Sequence, residues 1–238
     1  AFESQKILDG VDLDIPDKSI FALVGQSGTG KSVLFKTIMG MLSPDAGRVW
    51  FRDTELTALN KKALLEARRS FGYAFQYSAL FDFLTIEENI AFPLVEVLGM
   101  TNQREIRDQV NKMLDWIELP GIGSKRPDQL SGGMRKRVGV ARALVMHPEV
   151  LFFDEPTTGL DPILSETIND LVIRVNRELG ISCILITHDI PAAFRMSDRI
   201  AFLDQGKIVA EGFTHNIVTS QEQLVKEFLR ISFSELKV

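Results

Sequence analysis

The spacing of apolar residues along the chain predicts alternating strands and helices. Short continuous apolar runs at residues 20–24, 150–153 and 181–186 are typical of strands that are buried on both faces of a parallel sheet. Between the second and third runs, apolar residues recur at helical spacing over residues 164–179, and Asp161 is placed to cap that helix. Strand, helix and strand in this order predict a βαβ unit.

The middle of the chain has a different pattern. No buried-strand pattern interrupts residues 79–147, so we expect an inserted helical subdomain there. Its clearest helix is predicted at residues 102–119, with Asn102 and Glu105 as a capping pair. Towards the C-terminus, residues 199–210 predict a hairpin.

Composition narrows the class of protein. The 238 residues are 45% hydrophobic and 25% charged, and no apolar stretch reaches the length of a membrane-spanning helix. A net charge of −5 excludes binding of nucleic acid or anionic lipid through overall charge alone. The single cysteine, Cys183, indicates a reducing compartment. The chain lacks an initiator Met, and we expect residues to be missing before Ala1.

A glycine-rich loop after the first apolar run carries the strongest chemical signal. Residues 25–32 match the pattern G-x-x-x-x-G-K-S, in which backbone N–H groups and a helix N-terminus surround phosphate oxygens. Lys31 is placed to reach the β and γ phosphates, and the Ser32 hydroxyl to bind Mg²⁺. A glycine-rich turn without a ligand is the alternative, which the flanking strand and helix disfavour. The predicted phosphate site comprises Gly25, Gln26, Ser27, Gly28, Thr29, Gly30, Lys31, Ser32 and Val33.

Two carboxylates follow the second apolar run, at Asp154 and Glu155. Ligands of open α/β sheets bind at the carboxyl ends of the strands, which is where these side chains are expected. Asp154 is then positioned to hold the hydration shell of Mg²⁺, and Glu155 to orient and polarise an attacking water. A surface pair that caps the next turn is the alternative.

A second phosphate-binding surface is predicted at Ser131, Gly132 and Gly133, where another helix begins. Two phosphate-binding surfaces for one nucleotide suggest that the nucleotide lies between two protomers, each of which supplies one surface. A capped helix start without a ligand is the alternative at this place.

These motifs, in this order, resemble those of the ATP-binding subunits of ABC transporters, and the resemblance spans essentially the whole chain. Residues 130–134 resemble the ABC signature, Gln76 matches the Q-loop, residues 159–161 match the D-loop, and His188 matches the switch histidine. Phe2 matches the aromatic residue that stacks on adenine.

The resemblance implies a role for each motif. Each ATP is held by the glycine-rich loop of one subunit, called the P-loop in this family and found here at residues 25–32, and by the signature of the other subunit. Gln76 is implied to contact Mg²⁺ or the attacking water, and His188 to contact the γ-phosphate. Asp161 takes part in the D-loop besides capping its helix. The implied catalytic residues are Glu155, His188, Gln76 and Lys31, and the implied Mg²⁺ ligands are Ser32, Gln76 and Asp154.

The same resemblance implies a fold. We expect an α/β P-loop NTPase core of the RecA-like type, with a mainly parallel sheet, an N-terminal antiparallel β part and an inserted helical subdomain. The expected single ABC ATPase domain spans residues 1–238, with its catalytic core at 1–78 and 148–220, the helical signature subdomain at 79–147 and a C-terminal helix or tail at 221–238.

Within the family, the sequence looks like the ATPases of lipid-trafficking transporters of the Mla and Mce-associated type. The resemblance rests on residues 75–82, 86–94, 134–138 and 154–162, and Met134 is the sharpest discriminator. It implies a homodimeric motor subunit that drives a phospholipid-moving permease from the cytoplasmic face of the inner membrane. An MCE-domain substrate-binding protein and a STAS-domain regulator are implied as further partners.

Other functions stay open at this point. An ATPase for import of amino acids or other solutes carries the same motifs and is the first alternative. An ABC ATPase that acts on DNA or the ribosome is a distant one, because the chain has one cassette and no long heptad run, so no nucleic-acid partner is expected. An apolar cluster after Gln76, at residues 80–84, lies where the family's helical subdomain receives its permease; if exposed, it would be a partner surface.

Overall fold

The computed structural model describes residues 6–217 and 222–234. The predicted adenine contact Phe2 lies outside these residues. In the described parts, the strands and α-helices in chain order are β1 (Ile20–Val24), α1 (Lys31–Ile38), β2 (Trp50–Phe51), β3 (Thr54–Glu55), α2 (Lys61–Ala67), β4 (Phe71–Ala74), α3 (Ile86–Glu96), α4 (Gln103–Trp116), α5 (Gly132–Leu144), β5 (Val150–Asp154), α6 (Pro162–Leu179), β6 (Ser182–Thr187), α7 (Ile190–Met196), β7 (Arg199–Asp204), β8 (Lys207–Phe213), α8 (Thr214–Ile217) and α9 (Gln223–Ser234).

The chain divides into two compact units, and the first comprises residues 1–71 and 182–238. Its strands lie in the order β6-β1-β7-β8, with β1 parallel to both of its neighbours and β8 antiparallel to β7. Every residue of β1 and β6 is buried, as their continuous apolar runs predict. Burying one large apolar side chain contributes roughly 1.5–3 kcal/mol, so these central strands supply much of this unit's core.

The β7–β8 hairpin confirms the sequence prediction at residues 199–210. Its two-residue turn places Gln205 at φ 44° and Gly206 at φ 77°, which is the left-handed backbone that tight hairpins require. Gly206 also has to be glycine because a Cβ there would lie 2.3 Å from the Ile7 carbonyl oxygen. A second, smaller antiparallel pair is formed by β2 and β3.

The second unit comprises residues 72–181 and contains the helical segment predicted at residues 79–147. No strand lies between residues 79 and 147, all of which the structure describes, and α3, α4 and α5 pack on one another there. Asn102 caps α4 by accepting hydrogen bonds from the amides of Arg104 and Glu105. The helical character of this segment is therefore confirmed.

Helix α6 begins and ends where the sequence predicts. The Asp161 carboxylate accepts a hydrogen bond of 3.0 Å from the Leu164 amide, and Pro162 occupies the first turn. The helix ends at Gly180, whose φ of 65° is the left-handed conformation typical of a helix C-terminus. The strand β5 before this helix is buried in its first four residues, so the βαβ elements are all present.

The observed sheet is mixed and mostly parallel, with a small antiparallel sheet besides, as expected for the fold class. The boundary between the compact units falls at residues 71/72 and 181/182, whereas the expected functional division at residues 78/79 and 147/148 stays a prediction. No helix among the described residues is both long enough and apolar enough to span a membrane. Cys183 is fully buried in β6, and burial raises the pKa of its thiol.

Candidate active site

The glycine-rich loop of the first unit joins the buried strand β1 to the helix α1. A Cβ at Gly25 would lie 2.3 Å from the Leu203 carbonyl oxygen, so the chain can pass this point only as glycine. Gly28 at φ 83° and Gly30 at φ 105° adopt left-handed backbone, which turns the loop back towards the start of α1. Gly30 is the N-cap of α1 and offers no side-chain cap. A glycine at the N-cap leaves the space in front of this helix start clear of a capping side chain, as in helix starts that bind anions.

Lys31 lies along this loop. Its side chain is 7% exposed, and Nζ donates hydrogen bonds of 2.6 Å to the Gly25 carbonyl oxygen and 2.8 Å to that of Gln26. The neighbouring Ser32 is exposed, and the Thr29 hydroxyl donates to the Gln26 carbonyl oxygen at 2.9 Å. The loop thus presents an ammonium group, a hydroxyl group and backbone amides together, which is a set of donors suited to phosphate.

His188 lies beside this loop within the first unit. Strands β1 and β6 run parallel, with Val24 paired to Thr187, so Gly25 and His188 follow at the same edge of the sheet. The Asp189 carboxylate caps α7 by accepting a hydrogen bond of 3.0 Å from the Ala192 amide. His188 is exposed at the carboxyl ends of the parallel strands, where ligands of such sheets bind.

The two carboxylates of the second unit come directly at the end of β5. Asp154 is half-buried, and its Oδ2 accepts a hydrogen bond of 2.8 Å from the Tyr73 hydroxyl on β4. Burial and this hydrogen bond to a carboxylate both raise the pKa of Tyr73, so the phenol stays protonated and remains the donor. Asp154 is thereby held at one oxygen.

Glu155 has an unusual backbone conformation. Its φ of 48° lies in the left-handed region, which costs a non-glycine residue about 1–2 kcal/mol. The Thr158 hydroxyl donates to Glu155 Oε2 at 3.3 Å, and Lys136 Nζ donates to the Glu155 carbonyl oxygen at 3.4 Å. Strain of this kind persists where neighbouring groups hold the residue, and it is concentrated at functional positions.

Gln76 lies two residues beyond the end of β4 and is half-buried. The turn that follows it places Ser78 at φ 62° and Ala79 at φ 45°. The Arg142 guanidinium on α5 donates to the carbonyl oxygens of both, at 2.8 Å and 2.7 Å. These charge-assisted hydrogen bonds fix the strained turn on α5.

The predicted second phosphate surface lies at the start of α5. The Ser131 hydroxyl accepts a hydrogen bond of 3.3 Å from the Met134 amide, and both Ser131 and Gly132 are exposed. A Cβ at Gly133 would lie 3.3 Å from Leu164 Cδ2, so a glycine lets α5 approach α6 closely here. Ser131 therefore caps α5, as the alternative without a ligand predicts, while its exposure is compatible with the phosphate role, which stays a prediction.

Within the first unit, the structure brings predicted site residues together. The loop at residues 25–32 and His188 share an edge of the first unit's strands. Sequence patterns missed three side chains that hold the site residues: Tyr73, Lys136 and Arg142. Tyr73 and Arg142 belong to no motif, and Lys136 lies in the segment 134–138, which carried the family resemblance but gave no role to this side chain. Tyr73 carries a weak signal, since it alternates with buried residues on the strand before Gln76.

Comparison with known proteins places these features in context. The family model described as ABC transporter matches residues 8–158. The methionine import ATP-binding protein MetN of Rhodopseudomonas palustris (strain BisB5) is 40% identical over 93% of this chain and 60% of its own length. The "Probable ribonucleotide transport ATP-binding protein mkl" of Mycobacterium leprae is 38% identical over 96% of this chain and 66% of its own length. The chain therefore spans less than two thirds of the length of these curated relatives.

Two solved structures are similar along most of the chain. The dimeric ATP-binding cassette MJ0796, in a post-hydrolysis state bound to ADP and Pi, has a TM-score of 0.79 at 33% identity and covers 87% of this chain and 90% of its own. The protein cbiO1 of Clostridium perfringens, part of the ABC transporter complex cbiONQ, has a TM-score of 0.82 at 30% identity and covers 97% of this chain and 90% of its own.

Proposed function

Because the chain belongs to the ABC transporter family through its ATP-binding domain, we propose that it is the ATP-hydrolysing motor of an ABC importer for a small solute. The observation that carries this proposal is the loop at residues 25–32, with its obligatory Gly25, its buried Lys31 and the glycine N-cap of the helix that follows. His188 at the end of the adjacent strand adds a side chain suited to contact a terminal phosphate.

The proposed chemistry assigns one task to each group. Backbone amides of the loop and Lys31 bind the ATP phosphates, and His188 contacts the γ-phosphate. Glu155 accepts a proton from the attacking water and orients it. The cleaved bond joins the γ-phosphorus to its bridging oxygen, and ADP leaves with that oxygen as inorganic phosphate forms.

Magnesium is expected with the nucleotide. The proposed ligands are the Ser32 hydroxyl, the Gln76 side-chain amide and the Asp154 carboxylate, which all present oxygen, the donor atom that Mg²⁺ prefers. When bound, the ion supplies positive charge for the phosphate oxygens. Tyr73 donates its hydrogen bond to Asp154 Oδ2 and not to Oδ1. The proposed metal-facing oxygen is therefore Oδ1, and the bond at Oδ2 helps to orient the carboxylate.

Two copies of the chain are proposed to enclose the nucleotides. The exposed Ser131 and Gly132 at the start of α5 would contact ATP held by the loop of the partner copy. Asp161 in the D-loop segment would lie in the same interface, besides capping α6. The related cassette MJ0796 is dimeric in its ADP- and Pi-bound structure, which supports this arrangement.

An exposed aromatic surface on the second unit is proposed to receive the permease. Phe83 is 72% exposed and Phe92 is 38% exposed, and both contact the ring of Phe81, with centroid distances of 5.6 Å and 4.8 Å. Exposed apolar clusters of this kind mark partner surfaces. The related cbiO1 is part of a transporter complex, which supports docking to a permease and hence a peripheral location at the membrane.

The names of the relatives favour a small solute over phospholipid as cargo. Several relatives at 36–40% identity are methionine import proteins, and mkl is named for ribonucleotide transport. The phospholipid expectation rests on residues 75–82, 86–94, 134–138 and 154–162, with Met134 as the sharpest discriminator, and it stays a prediction together with the MCE-domain and STAS-domain partners. Reconstitution of the chain with its co-purified permease in liposomes separates the two cargoes. We expect methionine in the lumen-side buffer to stimulate ATP hydrolysis, and added phospholipid to leave the rate unchanged.

The direct test of the motor function is Lys31→Met. Removal of the ammonium is expected to lower the rate of ATP hydrolysis by roughly 10²-fold or more, because it removes charge stabilisation at the transferred phosphate. The exposed Lys36 on the same helix provides the matched control Lys36→Met, which should retain the rate. Unchanged hydrolysis by Lys31→Met would contradict the proposal.

A further inference from the structure

A charged side chain to which the sequence analysis assigned no role at the site contacts the residue that is proposed to activate water. Lys136 lies in the second turn of α5 and is half-buried, and its Nζ donates to the Glu155 carbonyl oxygen at 3.4 Å. Burial lowers the pKa of Lys136, and attraction to the Glu155 carboxylate acts in the opposite direction. The lysine therefore interacts with both the backbone and the charge of Glu155.

This contact bears on where the Glu155 carboxylate points. Because φ at Glu155 is 48°, rotation of the backbone towards the common right-handed region would redirect the side chain. A group that holds the carbonyl oxygen opposes that rotation. The Thr158 hydroxyl at 3.3 Å from Oε2 holds the carboxylate end, so the residue is fixed at two places.

The helix that carries Lys136 is also the helix that begins at the predicted signature surface. Its N-cap is Ser131, and Lys136 follows within two turns. The glycines at this helix start lie against the segment that follows Glu155: a Cβ at Gly132 would lie 3.5 Å from Leu160 Cδ2, and one at Gly133 3.3 Å from Leu164 Cδ2. A rigid-body shift of the start of α5 would therefore move the Lys136 ammonium relative to Glu155.

We propose that Lys136 is a positioning residue that couples the signature surface of a chain to the orientation of the same chain's Glu155. The proposal rests on the function proposed above, in which the signature contacts the ATP of the partner copy. Binding of that nucleotide at Ser131 and Gly132 then restricts the motion of the start of α5. Because Lys136 lies on the same helix and contacts the Glu155 carbonyl oxygen, the Glu155 backbone is restricted as well. Each site of the dimer thus responds to occupation of the other, which appears as cooperative ATP hydrolysis.

The test is Lys136→Met, which keeps the length of the side chain and removes its ammonium. We expect kcat to fall roughly 10- to 100-fold, because a displaced general base loses much of its effect, while KM for ATP changes by less than about twofold. We also expect the Hill coefficient for ATP to fall from above unity towards unity. The exposed Lys112 on α4 provides the control Lys112→Met, which should leave kcat and the Hill coefficient unchanged.

Rescue separates positioning from general stability. Lys136→Arg retains a positive donor and should restore most of kcat and the cooperativity, whereas thermal unfolding should be similar in all variants. Wild-type kcat and cooperativity in Lys136→Met would overturn the proposal, as would a loss of kcat that follows a loss of stability and is not rescued by arginine. Absence of ATP hydrolysis by the wild-type chain would instead contradict the proposed function itself.

Discussion

The Tyr73 hydroxyl on β4 donates a hydrogen bond of 2.8 Å to Oδ2 of Asp154 at the end of β5, joining two residues that are 81 positions apart in the sequence. The bond occupies one carboxylate oxygen and fixes the plane of the group. Since the other oxygen is the one proposed to face the Mg²⁺ hydration shell, we expect Tyr73 to orient the proposed metal ligand without contacting the metal.

Tyr73→Phe removes only this hydroxyl. We expect a higher Mg²⁺ concentration at half-maximal ATP hydrolysis and a loss of about 1.5–3 kcal/mol in the free energy of unfolding, typical of a hydrogen bond to a charged group. A Mg²⁺ titration of the hydrolysis rate and a urea titration measure the two effects. Tyr77→Phe, at a tyrosine that is 80% exposed, is the matched control; identical Mg²⁺ curves for both variants would contradict the assigned role.

The loop after β1 should not tolerate even one added methyl group. In Gly25→Ala the Cβ would lie 2.3 Å from the Leu203 carbonyl oxygen, a backbone atom, and 3.0 Å from the Thr29 hydroxyl oxygen. We expect a loss of about 1–3 kcal/mol in unfolding free energy together with weaker binding of a fluorescent ATP analogue.

Gly212→Ala is the control for that change. Its added Cβ would lie 3.7 Å from Ile217 Cδ1, which is ordinary contact distance, so stability and nucleotide binding should be retained. Equal behaviour of the two variants would show that the tight approach at Gly25 does not constrain the loop.

The turn after Gln76 depends on Arg142. Its guanidinium donates to the carbonyl oxygens of Ser78 and Ala79, and its carbon lies 5.9 Å from the centroid of the Phe81 ring. Arg142→Met should lower the free energy of unfolding by about 2–3 kcal/mol, since two charge-assisted bonds are lost, and should raise hydrogen exchange in this turn. Unchanged exchange at Ser78 and Ala79 would argue against this role.

The start of α3 should weaken in acid. The Thr85 amide and hydroxyl donate to Glu88, and these bonds lower the pKa of the Glu88 carboxyl, with the backbone bond as the larger cause. A lowered folded-state pKa means that the stabilisation is present above the unfolded-state pKa and is lost as pH falls through the folded-state value.

In Glu88→Gln the free energy of unfolding should therefore depend less on pH where the Glu88 carboxyl of the wild type takes up its proton. The difference in unfolding free energy between wild type and variant should be largest near neutral pH and shrink as pH falls below about 4. Chemical denaturation at a series of pH values measures it; a difference that is independent of pH would contradict the capping role of the carboxylate.

How much the sequence predicts depends on whether a contact is local. Asp161 was predicted as the cap of α6 because its partner, the Leu164 amide, lies three residues away. The loop at residues 25–32 was predictable for the same reason, since its strand, glycines and helix are consecutive. Local chemistry of this kind leaves a pattern that can be read directly.

The supporting contacts leave no such pattern. Lys136 and Glu155 are 19 positions apart, and Arg142 and Ser78 are 64 apart, so the fold alone brings each pair together. The left-handed backbone of Ser78 and Glu155 is likewise imposed by tertiary contacts rather than by glycine. These residues determine how the predicted motifs are held, and only the structure identifies them.

The hydrolysis rate of Glu155→Gln tests the central claim most directly. The change keeps the shape of the side chain and removes its capacity to accept a proton, so hydrolysis should fall by about 10²- to 10⁴-fold while ATP binding is retained and an ATP-dependent dimer accumulates in gel filtration. Glu96→Gln, at an exposed carboxylate on α3, is the matched control and should hydrolyse ATP as the wild type does. Wild-type hydrolysis by Glu155→Gln would contradict the assignment of this residue and the mechanism built on it.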